Sequence, residues 1–376
     1  MKRILFVLLA LMGCIAADAC TSAIVSGKFT RSGRPLLWKN RDTSDQNNRV
    51  EFVRATRAGN YDFVALFDAR DARDTAAWTG FNARGFAIMN TASYNLNKDN
   101  VPAKDMDREG VVMRLALETC VTVDDFEALL KRLPKPLGVE ANFGVIDAQG
   151  HGAYFEAGNY TYVKYDLADE PSGVLTRTNY SYSGRSNEGQ GYIREQNARA
   201  LLAPHIAQMD ITPAVFTEEL SRTFYNSLVD KDYTHSGQRW IVDQDYIPRR
   251  SSTASIVIEG VLPGEDPLLT TMWTVLGYPP CGEMIPVWMG EDGVPASLRG
   301  QGKNRHSSQC DKVLARKARV FSVKRGNGNR YLHLSELFNA GGTGIAQELI
   351  SKNLHAYEEG YREIARRRAE LSKKKK

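Results

Sequence analysis

Between residues 21 and 90 the chain presents short apolar or alternating runs at 21–28, 35–39, 49–54, 61–67 and 85–90. Their spacing constrains the fold more than any other feature. Alternation with a period of two is the mark of a half-buried strand. The gaps between the runs are too short for crossover helices, so neighbouring strands are expected to pair antiparallel as a meander. A turn at Arg31-Ser32-Gly33 separates the first two runs.

The period then changes. Over 109–132 Val112, Leu115, Ala116 and Thr119 fall on one helical face, and a second helix starts at Thr122 and carries Phe126, Leu129 and Leu130. Strands resume at 141–147 and 152–156, followed by 159–165 and 173–178. A helical stretch occupies 191–227, with a break near Pro213, and strands at 254–259 and 270–276 follow. A loop-rich segment then leads to a helix over about 345–370. The class is α+β; two sheets packed face to face with helices outside satisfy the pattern, and so does a generic α+β domain. At 42% hydrophobic residues the chain can bury a real core, which excludes disordered and fibrous classes.

The net charge of +5 does not point to nucleic acid, because of where it lies. Residues 352–376 hold nine Lys/Arg against four Glu, and the body from 20 to 351 is close to neutral. A basic tail of this kind reads as a solvated helix end. No apolar run after the first twenty residues approaches the roughly 18 needed to cross a bilayer. The partner expected is a small molecule, with no nucleic acid, no membrane span, no metal and no cofactor; an assembly of identical chains is compatible with the sequence.

The first 19 residues read as a secretory signal peptide: Lys2 and Arg3, an apolar stretch from Ile4 to Ala17, and the small-x-small ending Ala17-Asp18-Ala19. Export to a periplasm or the extracellular medium is the expectation, and cleavage after Ala19 would make Cys20 the first residue. Leu11-Met12-Gly13-Cys14 resembles a lipobox, which would instead anchor the chain through Cys14 and leave Cys20 internal. The organisation expected is a leader 1–19, a body 20–351 and a basic helix or tail 352–376. Cys120 sits in a helical apolar pattern and reads as core, while Cys281 and Cys310 could pair in an oxidising compartment. Asn159-Tyr160-Thr161 and Asn179-Tyr180-Ser181 match glycosylation sequons.

An N-terminal cysteine places a thiol and an α-amine on one residue. The amine has an ordinary pKa of about 7.7–8.0, so near neutral pH it can take the thiol proton and later return a proton to a leaving nitrogen. Nucleophile, base and acid then need no histidine. None of the six histidines sits in a recognisable catalytic pattern.

Cys20-Thr21-Ser22 opening a strand, with Lys39-Asn40-Arg41-Asp42 about twenty residues on, resembles the start of the N-terminal nucleophile amide hydrolases. The similarity is to the choloylglycine hydrolase family and the related acyl-CoA:6-aminopenicillanic acid acyltransferases. It implies an αββα sandwich, two stacked antiparallel sheets flanked by helices, and an amidohydrolase that forms a thioester on Cys20. Asp42 matches the aspartate that orients the α-amine. Lys39 stands where bile salt hydrolases carry an arginine, and loses that residue's planar fork.

Three later segments resemble the same pattern. Asn82-Ala83-Arg84-Gly85 precedes a strand ending at Asn90, which matches a site asparagine whose backbone N–H could face an oxyanion. Val174–Asn179 matches the segment whose asparagine donates to the oxyanion, with Tyr180 where a histidine is usual, placing Tyr180 at the substrate. Arg249-Arg250-Ser251-Ser252 matches the segment with a site arginine, for which Arg250 aligns better. The resemblance covers about 20–280. A dipeptidase or an acyltransferase of the same fold would share these residues, the former needing basic pocket residues such as Arg177 or Arg185. A lipid-anchored binding protein without turnover is the alternative of another class.

Overall fold

The computed structural model describes residues 19–323 and 331–374; the leader and Cys14 lie outside the described residues. Two antiparallel sheets lie face to face. The first six strands are β1 (Thr21–Val25), β2 (Leu36–Asp42), β3 (Asn48–Val53), β4 (Phe63–Asp68), β5 (Thr79–Asn82) and β6 (Ala87–Ala92). Helices α1 (Glu109–Thr119) and α2 (Val123–Arg132) follow. Next come β7 (Ala141–Ile146), β8 (Gly152–Ala157), β9 (Tyr162–Asp166), β10 (Val174–Arg177) and α3 (Tyr192–Gln208).

A π-helical turn at Val215–Leu220 precedes three short strands, β11 (Tyr225–Asn226), β12 (Lys231–Asp232) and β13 (Trp240–Val242). The chain then forms β14 (Ser252–Glu259), β15 (Thr271–Leu276), β16 (Met284–Val287), α4 (Ser308–Val320), β17 (Tyr331–His333), α5 (Leu334–Leu337) and α6 (Ile345–Lys374). One sheet runs β10-β1-β2-β14-β15-β16 and the other is the meander β3 to β9 in sequence order.

The sandwich follows from strands that are apolar on both faces. In β1 and β2, Ile24 and Leu37 point between the sheets with Val64, Phe81, Met89 and Ile256. Ala23, Val25 and Trp38 point the other way, onto α3, the π-helical turn and α6. Trp38 stacks on Phe216 at 5.0 Å and Trp273 meets Tyr357 of α6 at 4.8 Å. Across the molecule, α1 and α2 cover the seven-stranded sheet, where the Phe126 ring meets Phe143 at 5.6 Å and Phe155 at 5.2 Å edge-on. The layers are therefore helix, sheet, sheet, helix, the αββα arrangement that the resemblance implied.

Thr122 caps α2 as its sequence promised: its side chain accepts from Asp125 N at 3.1 Å, and the Asp125 carboxylate accepts from Thr122 N at 2.9 Å. The Asn82–Gly85 turn has a clear cause. Buried Asn82 donates to the carbonyl of Leu117 in the last turn of α1 and to that of Cys120 just beyond it, and accepts from Arg84 N and Phe86 N, while Gly85 takes φ +79°. Strand β5 just before it is a departure from the sequence pattern, in which 79–82 is too short to register. The boundary expected at 351/352 falls inside α6, whose Tyr357 and Ile364 are buried against the sheet. Among the described residues no helix is long and apolar enough to cross a membrane.

Candidate active site

Cys20 sits immediately before β1, and register explains its neighbours. Thr21 pairs with Asn40, and Ala19 N donates to Asp42 O at 3.2 Å, so the ladder to β2 continues past Cys20. Sγ of Cys20 lies 3.9 Å from Asp42 O, and the residue is buried. The spacing between Cys20 and Asp42 is thus what two paired strands joined by the 31–33 turn require.

The Asp42 carboxylate is fully buried and takes three donors: Asn40 Nδ2 at 3.1 Å, Ser252 Oγ at 2.6 Å and Arg249 Nε at 2.7 Å. Arg249 also reaches Ala19 O at 3.4 Å. Ser252 arrives there through a bulge: β14 pairs Ser252 with Asp42 but Ala254 with Arg41, so one extra residue turns the strand end inward. Burial lowers the pKa of Arg249, but Asp42 outweighs it and leaves the guanidinium above its ordinary value. The structure brings Arg249 to Asp42 where the sequence favoured Arg250. Arg250 is exposed, and its backbone N–H donates to Asp243 at 3.0 Å.

Opposite Asp42, a residue absent from the sequence-based set closes the site. Arg194, in the first turns of α3 and fully buried, donates to Cys20 O at 2.7 Å, Thr21 Oγ1 at 2.9 Å and Asn179 Oδ1 at 2.8 Å. Burial, with Arg249 nearby, brings its pKa down to about 10, so it remains a cation at neutral pH. Asn179 in turn donates Nδ2 to Ala92 O at 2.9 Å. One arginine therefore ties the start of β1 to the expected oxyanion asparagine.

Lys39 and Asn90 are brought together with each other. Lys39 alternates with Asn40 and so points between the sheets, where Nζ donates to Asn90 Oδ1 and Trp78 O, both at 2.8 Å. Tyr180 is buried, gives its hydroxyl to Glu195 and stacks on Tyr192 at 4.0 Å. The basic residues that a free carboxylate would need are engaged: Arg177 bonds Glu156 at 2.7 Å, and Arg185 bonds Glu188 at 2.5 Å and Asn97 O at 2.8 Å. Asn159 and Asn179 are both buried, so neither sequon presents its amide to solvent.

Cys120, Cys281 and Cys310 are buried and unpaired. Burial pushes the first two thiols up to about 12 and the third to about 11, which keeps them protonated at neutral pH. Cys281 packs with Tyr278 and Val313 while Cys310 lies in the core between the sheets, so the structure contains no bridge between them.

A family model for acyl-coenzyme A:6-aminopenicillanic acid acyl-transferase matches residues 30–238, more than half of the chain. It includes Lys39, Asp42, Asn90, Asn179 and Arg194 but neither Cys20, which lies before it, nor Arg249, which lies beyond it. No curated protein matches. Solved structures that align include an N-acylethanolamine-hydrolyzing acid amidase ortholog from Caenorhabditis elegans, with 14% identity and TM-score 0.41 over 65% of this chain and 93% of that one. A mutant conjugated bile acid hydrolase from Clostridium perfringens gives 12% and 0.44 over 72% and 92%. Penicillin V acylase from Agrobacterium tumefaciens gives 11% and 0.40 over 72% and 86%. Likenesses this distant carry no argument of their own. From the family match, the chain belongs to the acyl-coenzyme A:6-aminopenicillanic acid acyl-transferase family of N-terminal nucleophile hydrolases.

Proposed function

We propose that the chain is an exported amidohydrolase that cleaves linear amides through a thioester on Cys20, made N-terminal by removal of residues 1–19. The observation that carries this reading is the placement of Cys20 between two buried clusters, Asp42 with Arg249 and Ser252 on one side, Arg194 with Asn179 on the other. Removal of Ala19 would release the Arg249 contact to its carbonyl and leave the new α-amine beside Asp42.

The α-amine takes the thiol proton, and the thiolate attacks the amide carbon. A C–S bond forms as the carbonyl π pair moves to oxygen, and Asn179 Nδ2 is the side-chain donor for that oxyanion. Collapse breaks the C–N bond, the α-ammonium returns its proton to the leaving nitrogen, and a thioester remains. Water then attacks with the amine as base and releases the acid. The positive charge of Arg249 near the thiol favours the thiolate.

An amine in place of water gives acyl transfer, and the family match makes that second outcome worth measuring. Arg177 and Arg185, two basic residues a dipeptidase could use for a free carboxylate, are both engaged.

Intact mass and N-terminal sequencing of the exported protein test the first requirement: a chain starting at Cys20 is expected, and a lipidated chain starting at Cys14 would defeat the mechanism. A panel of N-acyl amides tests the second. Cys20→Ala is expected to lower turnover by roughly 10⁴-fold or more with the fold retained, and an active variant would remove Cys20 from the chemistry.

A further inference from the structure

The segment after 281 lies outside the family match, yet it reaches the back of the Cys20 site. On α4, Cys310 and Lys317 are two turns apart and share a face. Cys310 Sγ donates to Gln46 O at 3.3 Å in the loop that follows Asp42, and accepts from Asn48 N at 3.5 Å. Lys317 is buried; its amine donates to Gln46 Oε1 and to Ser252 O at 3.3 Å. Ser252 is the residue whose hydroxyl donates to Asp42, and it closes a tight turn with Arg249: Arg249 N donates to Ser252 Oγ at 3.0 Å and Ser252 N to Arg249 O at 2.7 Å.

We propose that Lys317 is a positioning residue of the Cys20 site, holding from α4 the turn that presents Arg249 and Ser252 to Asp42 and placing a positive charge behind that carboxylate. The proposal rests on the reading of Cys20 and Asp42 given above. Lys317 touches neither Cys20 nor substrate; it acts through Ser252 and Gln46.

A buried ammonium is costly to keep unless it is paired and hydrogen-bonded, and Lys317 has Gln46 and Ser252 O as acceptors. Burial brings the Lys317 amine down to about 8, against the pull of Asp243 and Asp42, while Arg250 pushes it further down. The Tyr278 ring lies 5.4 Å from Nζ, and its hydroxyl, held well above its ordinary pKa by burial, stays neutral, as does the Cys281 thiol. The facing charges are therefore Asp42, Asp243 and Arg250. Since a lysine with a lowered pKa loses its proton as pH rises, the charge is present below about 8 and lost above it. Support for Asp42 and Arg249, and with it the thiolate of Cys20, weakens on the alkaline side.

The test is the rate of Cys20 alkylation by iodoacetamide against pH, read by peptide mass spectrometry on the exported protein, with Cys120 as internal reference. The Cys20 α-amine gives every variant an inflection near pH 8, and the wild type is expected to show in addition a break to lower rate on the alkaline side, where Lys317 loses its charge. Lys317→Met should react about tenfold more slowly at pH 7 and lack the break. Lys317→Arg should stay within about threefold of the wild type and move the break beyond pH 9.5. A Lys317→Met profile that superimposes on the wild type overturns the proposal while leaving Cys20 as nucleophile. Wild-type Cys20 that reacts no faster than Cys120 overturns the nucleophile reading and this proposal with it. Should Lys317→Met fail to fold, the wild-type break and its displacement in Lys317→Arg decide the matter alone.

Discussion

The two outer helical layers of the sandwich bury their residues differently. The layer of α1 and α2 meets its sheet through carbon, with Val112, Met113, Phe126, Leu129 and Leu130 laid on Phe143 and Phe155. The layer of α3, the π-helical turn and α6 does the same along much of its length, through Phe216 on Trp38 and Tyr357 on Trp273. At the Cys20 end it changes character: α3 turns Arg194, Glu195 and Asn197 inward. Burying such groups costs free energy unless partners offset it. Arg194 has three acceptors, and Glu195 takes donors from Thr176, Tyr180, Tyr182 and Arg199. A fold that could have sealed both faces with leucine keeps one end polar, and that end holds the cysteine. The location of buried polarity, more than its amount, separates the part of the molecule that makes the fold from the part that makes the site.

The contrast can be broken from either side. Phe126→Ala opens a cavity in the carbon layer and is expected to lower stability by about 3–5 kcal/mol in denaturant unfolding. Turnover per folded molecule should be unchanged; a loss of kcat matching the loss of stability would mean that the layers are not separable. On the polar side, Arg194→Lys keeps the charge but gives up the fork that spans Cys20 O and Asn179. Steady-state kinetics should show a fall in kcat of about 10²-fold, and an unaltered kcat would make Arg194 a prop for the helix alone.

The smallest effect sharpens the comparison, because it concerns an acid on the carbon side. Glu109, at the head of α1, is buried and accepts from Glu140 N at 2.9 Å; burial raises its pKa from 4.5 to about 7. The folded protein therefore keeps a proton between those values that the unfolded chain releases, and stability falls as pH rises through that window. Above 7 the charge is buried at full cost. Glu109→Gln is expected to raise the thermal midpoint at pH 8 by about 2–4 °C and to leave it unchanged near pH 4.5, with activity unaffected at either pH. A gain of equal size at both values would trace to packing instead of charge.

Much of the frame was legible in the sequence because it rests on local rules. Alternation located most strands, the 31–33 turn fixed the pairing of β1 with β2, and Thr122 marked where one helix yields to the next; that β2 then pairs with β14 and not with β3 was not legible. The distance from Cys20 to Asp42 could be read for the same reason, as two strands and a tight turn. What escaped reading depends on contacts remote in sequence or on a broken rule. Arg249 and Arg250 are adjacent, and alternation would choose between them if the strand were regular; the bulge at Ser252–Ala254 removes that guide. Arg194 lies on a helix whose polar residues look like a solvated face until β1 and Asn179 are packed against them. Lys317 is 275 residues from Asp42, and no local pattern relates the two.

The ladder between β2 and the residues before β1 also sets a timetable. Ala19 is pinned by its N–H to Asp42 and by its carbonyl to Arg249, and both it and Cys20 are buried. A peptidase working from outside can reach the Ala19–Cys20 bond only while the chain is still open. Under the proposed cleavage, trimming and closure are then in a race, and a chain that closes first would keep its cysteine blocked by the residues before it. Conditions that speed folding before cleavage would in that case yield a well-folded, stable and inert protein.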